Sequence, residues 1–170
     1  MTAFARNPIH RSAPQPTAHS LSVSRVILSA ALVVGVLDAA DGVIFLGLHG
    51  QNPIQVLQYI ASSLLGARSF SGGLASAGLG LILHFAVWLV VAAIYVLESR
   101  RVPGLRSQWV LFGLLYGAVV WTGMNLVLLP HTAITHSTLT SAALANGLIG
   151  HALFVGLPSA FFAKQVDPAR

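Results

Sequence analysis

Two carboxylates and two imidazoles lie within otherwise apolar stretches, and they are the residues of this chain best placed to do chemistry. Asp38 and Asp41 interrupt the hydrophobic run 26–48 and, three residues apart, share one face of a helix. His84 and His151 each stand in the middle of another apolar run. A charged group at membrane depth costs roughly 3 kcal/mol to insert, and such groups usually face a protein interior and mark a site.

Three kinds of chemistry are open to this set, which also includes Asn125. Asp–His hydrogen bonds could fix the register of the helices, since buried polar groups need partners. Aspartate and histidine chains also carry protons or small solutes, because histidine titrates near neutral pH. As a third alternative, Asp38, Asp41, His84 and His151 could hold a divalent metal ion, or the two histidines could be axial ligands of a haem. No ligand-rich motif supports a cofactor, so none is the favoured expectation.

The composition indicates lipid as the main solvent. Of 170 residues, 55% are hydrophobic and only 8% are charged, and the mean hydropathy is +0.79. A soluble domain carries about 25% charged residues. The chain has no cysteine, which excludes disulfides and thiolate metal sites. The net charge of +5 comes from basic residues in a tail and in loops, where it indicates membrane topology rather than nucleic-acid binding.

Four segments are long and apolar enough to cross a bilayer, which takes about 20 residues. They are 26–48, 74–97, 108–129 and 142–163, within a membrane domain 25–164 flanked by a disordered tail 1–24 and a short tail 165–170. With the N-terminus inside, eight of the nine basic residues are cytoplasmic and only Arg68 is outside. This positive-inside bias predicts that both termini are cytoplasmic.

A shorter helix is predicted between the first two spans, at about 53–66. Asn52 and Pro53 form a typical helix start, and apolar residues follow at helical spacing. Gln55, Gln58 and Ser62 form a polar stripe on the opposite face. An amphipathic helix of about 14 residues is too short to span, so we expect it to lie at the outer interface or to cap the bundle. A simple interfacial anchor is favoured over a functional lid.

The polar residues are expected to lie at similar depths. At about 1.5 Å per residue, Asp38, His84 and His151 are each about 14–15 Å from the outer ends of their helices. Asp41, at about 10 Å, and Asn125, at about 6 Å, lie nearer the outside. Residues at matched depth on several helices can converge on the axis of a small bundle, so the sequence predicts a shared polar core.

Small residues suggest how the helices pack, because close approach drives helix association in lipid. Ala77 and Gly80 share a face of the second span with His84, and the third span contains a GxxxG pattern at Gly113 and Gly117. This pattern does not say whether the contact lies within one chain or between subunits. Transport through so small a bundle would favour an oligomer joined at the GxxxG face.

The second half of the chain resembles the YagU-like group of small bacterial inner-membrane proteins. The resemblance rests on residues 83–120 and on the MNLVLLP segment, with His84, Tyr95, Pro103 and Pro130 as its markers. It implies a multi-pass protein of the bacterial inner membrane with a link to acid tolerance. It assigns no catalytic residues.

The sequence thus predicts an all-α, polytopic membrane protein with four transmembrane helices and one short amphipathic interfacial helix. The leading function is proton or small-solute handling at an Asp/His core. The alternatives are a haem- or metal-binding membrane subunit and a structural or accessory subunit of a larger membrane complex. No motif of a soluble enzyme is present, so an enzymatic role is not the favoured expectation. The expected partners are lipid and, in some of these alternatives, further copies or other subunits, but not nucleic acid.

Overall fold

The protein is a four-span α-helical membrane protein, as predicted. The computed structural model describes residues 22–134 and 140–166, and within them no β-strand forms. Four helices are long and apolar enough to cross a membrane; the first to fourth spans are Val23–Leu48, Gly73–Arg101, Trp109–His131 and Ser141–Ala163. The predicted tails 1–24 and 165–170 lie outside the described residues, apart from residues 22–24, where the first span already begins, and residues 165–166.

The spans bury small and β-branched side chains against one another and leave large aliphatic ones on the outside. One core cluster lies near the end of the bundle that carries Arg100 and Arg101, and it includes Val26, Tyr95 and Ala160. We call this the basic end, and the opposite end the short-helix end. Leucines and isoleucines cover much of the outer surface of the spans. Such a surface is suited to lipid, since in water it would be an extensive exposed apolar patch.

The GxxxG pattern packs within the chain. A Cβ atom on Gly117 would overlap the backbone of His151 and Ala152, and one on Gly113 would lie 3.0 Å from the Gly156 carbonyl oxygen. The third and fourth spans therefore approach at backbone contact distance, as small-residue faces allow. The fourth span of the same chain occupies this face at Gly113 and Gly117, which is the within-chain alternative for the pattern.

The short helix runs from Pro53 to Leu65 and is amphipathic, with the predicted start. The Asn52 side chain accepts a hydrogen bond from the Gln55 backbone N–H at 3.0 Å, and the Gln55 side chain accepts one from the Asn52 N–H. This reciprocal pair is a capping box. A 3₁₀ segment, Gly66–Ser71, then leads to the second span.

The short helix is also a wall of the bundle, which the expectation of a simple anchor misses. Gln58 and Ser62, in the predicted polar stripe, are buried, and Gln58 Nε2 donates to the Gly73 carbonyl at 3.0 Å. Leu57 and Ala61 press their backbone against Gly80. Gly80 lies about 10 Å along the helix from Gly73, so the short helix crosses the second span well below its start. Gln58 and Ser62 both donate to backbone carbonyls, which explains why these two residues of the stripe can be buried, whereas Gln55 is exposed.

Two π-helical turns interrupt the third and fourth spans. One is Met124–Leu128 and the other is His151–Gly156, which ends just before Pro158. Pro158 has no N–H to donate into the helix, so the distortion of the fourth span coincides with a proline. Ser159 Oγ donates to the Val155 carbonyl at 2.7 Å, which satisfies one acceptor in the distorted turn. Single π turns are frequent at functional sites.

Candidate binding site

A cavity of about 410 Å³ lies between the short helix and the spans. Each of the four spans contributes to its wall, and the short helix and residues 132–134 complete it. The lining is mainly aliphatic and aromatic, with Asp38, His84 and His151 among its few polar groups. A half-open apolar cavity of this size with a few convergent polar groups has the usual character of a small-molecule site. The three residues that the sequence places at one depth thus line one cavity.

Asp38 and His151 form the central pair of the cavity. The Asp38 Oδ1 and His151 Nδ1 atoms are 3.7 Å apart, and the two side chains are 16% and 17% exposed. That separation is too long for a hydrogen bond. Among the described residues no donor forms a hydrogen bond to Asp38, and His151 Nδ1 is buried without a partner. The two side chains are thus close and partly exposed, and no hydrogen bond joins them.

His84 lines the cavity but is committed to a structural contact. Its Nε2 atom lies 2.8 Å from the Gly35 carbonyl oxygen, which ties the second span to the first. Since a carbonyl only accepts hydrogen bonds, Nε2 carries a proton and Nδ1 is left as the acceptor in the neutral ring. The Phe85 ring packs against Gly35 next to this contact, where a Cβ would lie 2.5 Å from its Cε1 atom.

Asp41 does not join the Asp–His pair, contrary to the predicted shared core. Its Oδ2 accepts a hydrogen bond from Asn146 Nδ2 at 3.0 Å, and it is not part of the cavity lining. The first and fourth spans are antiparallel, so carboxylates one turn apart on the first span meet different residues of the fourth. Asp41 meets Asn146 and Asp38 meets His151.

Asn125 does line the cavity, and its position depends on the π turn of the third span. Its Nδ2 atom donates to the Trp121 carbonyl at 3.0 Å, within the same helix. Its amide oxygen has no hydrogen bond from a described residue. Asn125 therefore contributes a polar lining group but makes no contact with Asp38 or His151.

Trp88 is a site residue that the sequence analysis missed. Its ring lies between the two imidazoles, with centroids 5.9 Å from His84 and 5.5 Å from His151, both edge-on. Its buried Nε1 atom has no hydrogen-bond partner among the described residues. The available signal was its spacing, since Trp88 follows His84 by four residues and shares its helix face.

The predicted donors do not form a common metal site. Within residues 22–134 and 140–166, no group of three or more His, Asp or Glu side chains is arranged to hold one ion. Asp41 is paired with Asn146 and His84 Nε2 with Gly35, which leaves Asp38 and His151 as the pair facing the cavity. The donor geometry therefore gives no support to the metal and haem alternatives.

The chain matches no protein-family model, no curated protein and no solved structure.

Proposed function

We propose that this chain binds a small, mainly apolar solute in the cavity and that Asp38 and His151 exchange a proton there. The observation that carries the proposal is the unsatisfied Asp38–His151 pair in the wall of a cavity of about 410 Å³. Proton transfer needs donor and acceptor within hydrogen-bond reach or linked by one water. At 3.7 Å, a small relaxation or one bridging group meets that condition.

Two other polar contacts, His84 with Gly35 and Asp41 with Asn146, have the geometry of purely structural links between helices. His84 with Gly35 links the first and second spans, and Asp41 with Asn146 links the first and fourth, each through a hydrogen bond of 3.0 Å or less. The Asp38–His151 pair makes no such bond, although burial without one is costly. A pair kept unsatisfied beside a cavity is better explained by an occupant than by helix register.

The first test compares Asp38→Asn with Asp41→Asn in liposomes that contain a pH-sensitive dye. Both variants make the same chemical change, one helical turn apart, but only Asp38 faces the cavity. We expect Asp38→Asn to slow proton flux about tenfold or more, since a positioned proton-transfer group contributes at least that much. Asp41→Asn should keep nearly all of the flux. Equal effects of the two variants, or unchanged flux in Asp38→Asn, would contradict the proposal.

We also infer that both termini are cytoplasmic and that the membrane is the bacterial inner membrane. Arg25, Arg100, Arg101, Arg106 and Lys164 lie at one end of the described bundle, and Arg68 lies at the other. This asymmetry supports the orientation through the positive-inside bias. The role in acid tolerance that the YagU-like resemblance implies stays a prediction, with which a titratable pair is compatible.

The orientation can be tested with single cysteines, because the native chain has none. Ser71 lies at the short-helix end and Ser107 in the basic loop, and both are exposed. In spheroplasts, a membrane-impermeant maleimide should label Ser71→Cys at once and Ser107→Cys only after permeabilisation. Labelling in the opposite order would reverse the proposed orientation.

A further inference from the structure

We propose that the solute is a hydrophobic organic cation, an amine or quaternary ammonium group on an apolar body, held with its charge at Asp38 and against the rings of Trp88 and Trp121. This inference rests on the proposed function and names the class of molecule that the same cavity takes. It follows from four properties of the cavity wall. The Asp38 carboxylate has no hydrogen bond from a described residue, and aromatic side chains line the same cavity. No lysine or arginine is among the described lining residues, and most of the other lining residues are apolar.

The Asp38 carboxylate is a hydrogen-bond acceptor in the cavity wall that receives no hydrogen bond from a described residue. Its side chain is only 16% exposed, yet the described residues form no hydrogen bond to it. His151 Nδ1 lies 3.7 Å away, beyond hydrogen-bond distance, and Trp88 Nε1 makes no hydrogen bond to a described residue. A buried carboxylate gains most from a cation or a strong donor placed against it, because either one restores what desolvation removed.

Aromatic side chains line the same cavity as Asp38. Trp88 and Trp121 line the cavity together with Tyr59, whose phenol has a pKa raised by burial and so stays protonated near neutral pH. Tryptophan faces attract cations most strongly among the aromatic side chains, and the attraction grows where water is excluded. Carboxylate and indole together form a site with a preference for positive charge.

No basic side chain in the described cavity wall opposes the binding of a cation at Asp38. Among the described residues no lysine or arginine lines the cavity. The titratable groups that face Asp38 from the other elements are His151, His84 and Tyr59, and Asp41 lies one turn away on its own helix. His84 is engaged with Gly35, and Asp41 is engaged with Asn146.

Most of the other lining residues are apolar, so they favour a ligand whose uncharged part is apolar. Ile60, Leu83, Val87 and Leu128 form much of the wall, so a strongly hydrated cation would lose water without gaining contacts. An anion would meet the carboxylate, and a neutral molecule of the same shape would leave Asp38 unpaired. The expected order of affinity is therefore cation, then neutral molecule, then anion.

The test uses two probes of matched shape, benzyltrimethylammonium and its uncharged isostere neopentylbenzene. Each is titrated into the full-length protein in nanodiscs, with protein-free nanodiscs as the blank, and Trp88 and Trp121 report occupancy through tryptophan fluorescence. We expect the cation to bind about tenfold or more tightly than the isostere. Asp38→Asn should abolish this preference, whereas Asp41→Asn should retain it.

The outcomes separate this inference from the proposed function. Equal binding of both probes, unchanged in Asp38→Asn, would leave a solute site but overturn the cationic class. Binding of neither probe would overturn both. If Asp38→Asn does not fold, Trp121→Leu replaces it: a several-fold loss of affinity for the cation alone supports the inference, and an equal loss for both probes refutes it.

Discussion

Replacing Gly117 by alanine is expected to lower the free energy of unfolding by roughly 1–3 kcal/mol, the usual cost of overpacking a core. The new Cβ would overlap the carbonyl oxygen of His151 and lie 2.6 Å from the Cα of Ala152, so backbone rather than a flexible side chain would have to move. Alanine is the better helix former by about 1 kcal/mol, and the overlap outweighs that gain. Denaturant titration in micelles, followed by circular dichroism, measures the change.

Gly123→Ala is the matched control on the same span. No atom lies within 4 Å of a Cβ at Gly123, so this variant should be neutral or stabilised by up to about 1 kcal/mol. Equal stabilities of the two variants would show that the third and fourth spans do not pack at Gly117. A change in oligomeric mass without a loss of stability would return the GxxxG face to a contact between subunits.

The four spans could be predicted because hydropathy alone identifies segments that lipid favours. The residues at which the helices end were harder to predict. The second span was expected to end near residue 97, and it continues to Arg101 as a helix. Glu98 and Arg101 pair at 2.6 Å in that last turn, and both are good helix formers. Hydropathy reports where the bilayer ends, whereas the helix extends into water.

The site was predictable in depth but not in direction around each helix. A rise of about 1.5 Å per residue places Asp38, His84 and His151 at one level, and all three line the cavity. The π turns beginning at Met124 and His151 alter how side chains point, and no residue pattern announces them. The pairing of Asp41 with Asn146 depends on how the first and fourth spans are rotated about their own axes, and helix packing determines that rotation.

The sequence pattern also did not predict that the polar face of the short helix packs against protein. Its stripe of glutamine and serine is typical of a helix face in water, yet Gln58 and Ser62 are buried against the second span. The same side chains serve equally well when backbone carbonyls replace water as their partners, as the Gly73 carbonyl does for Gln58. Polarity predicts that a group needs a partner, and not which partner it finds.

Gly80→Ala is expected to displace the short helix and with it one wall of the cavity. The added Cβ would overlap the carbonyl oxygen of Leu57 and come within 3.3 Å of the Ala61 nitrogen, and neither can rotate away. We expect a loss of roughly 1–3 kcal/mol in the free energy of unfolding. Binding of benzyltrimethylammonium should weaken as well, because Tyr59 and Ile60 of the displaced helix line the cavity.

Gly78→Ala, two residues earlier, provides the comparison that makes the result specific. No atom lies within 4 Å of the position that a Cβ at Gly78 would take, so the substitution should leave binding unchanged and raise stability by up to about 1 kcal/mol. Identical behaviour of the two variants would mean that the short helix does not rest on the second span. A Gly80→Ala protein that keeps its stability but loses binding would instead separate the two roles of the short helix. Its contribution would then lie in closing the cavity, and the stability of the bundle would come from the contacts among the four spans.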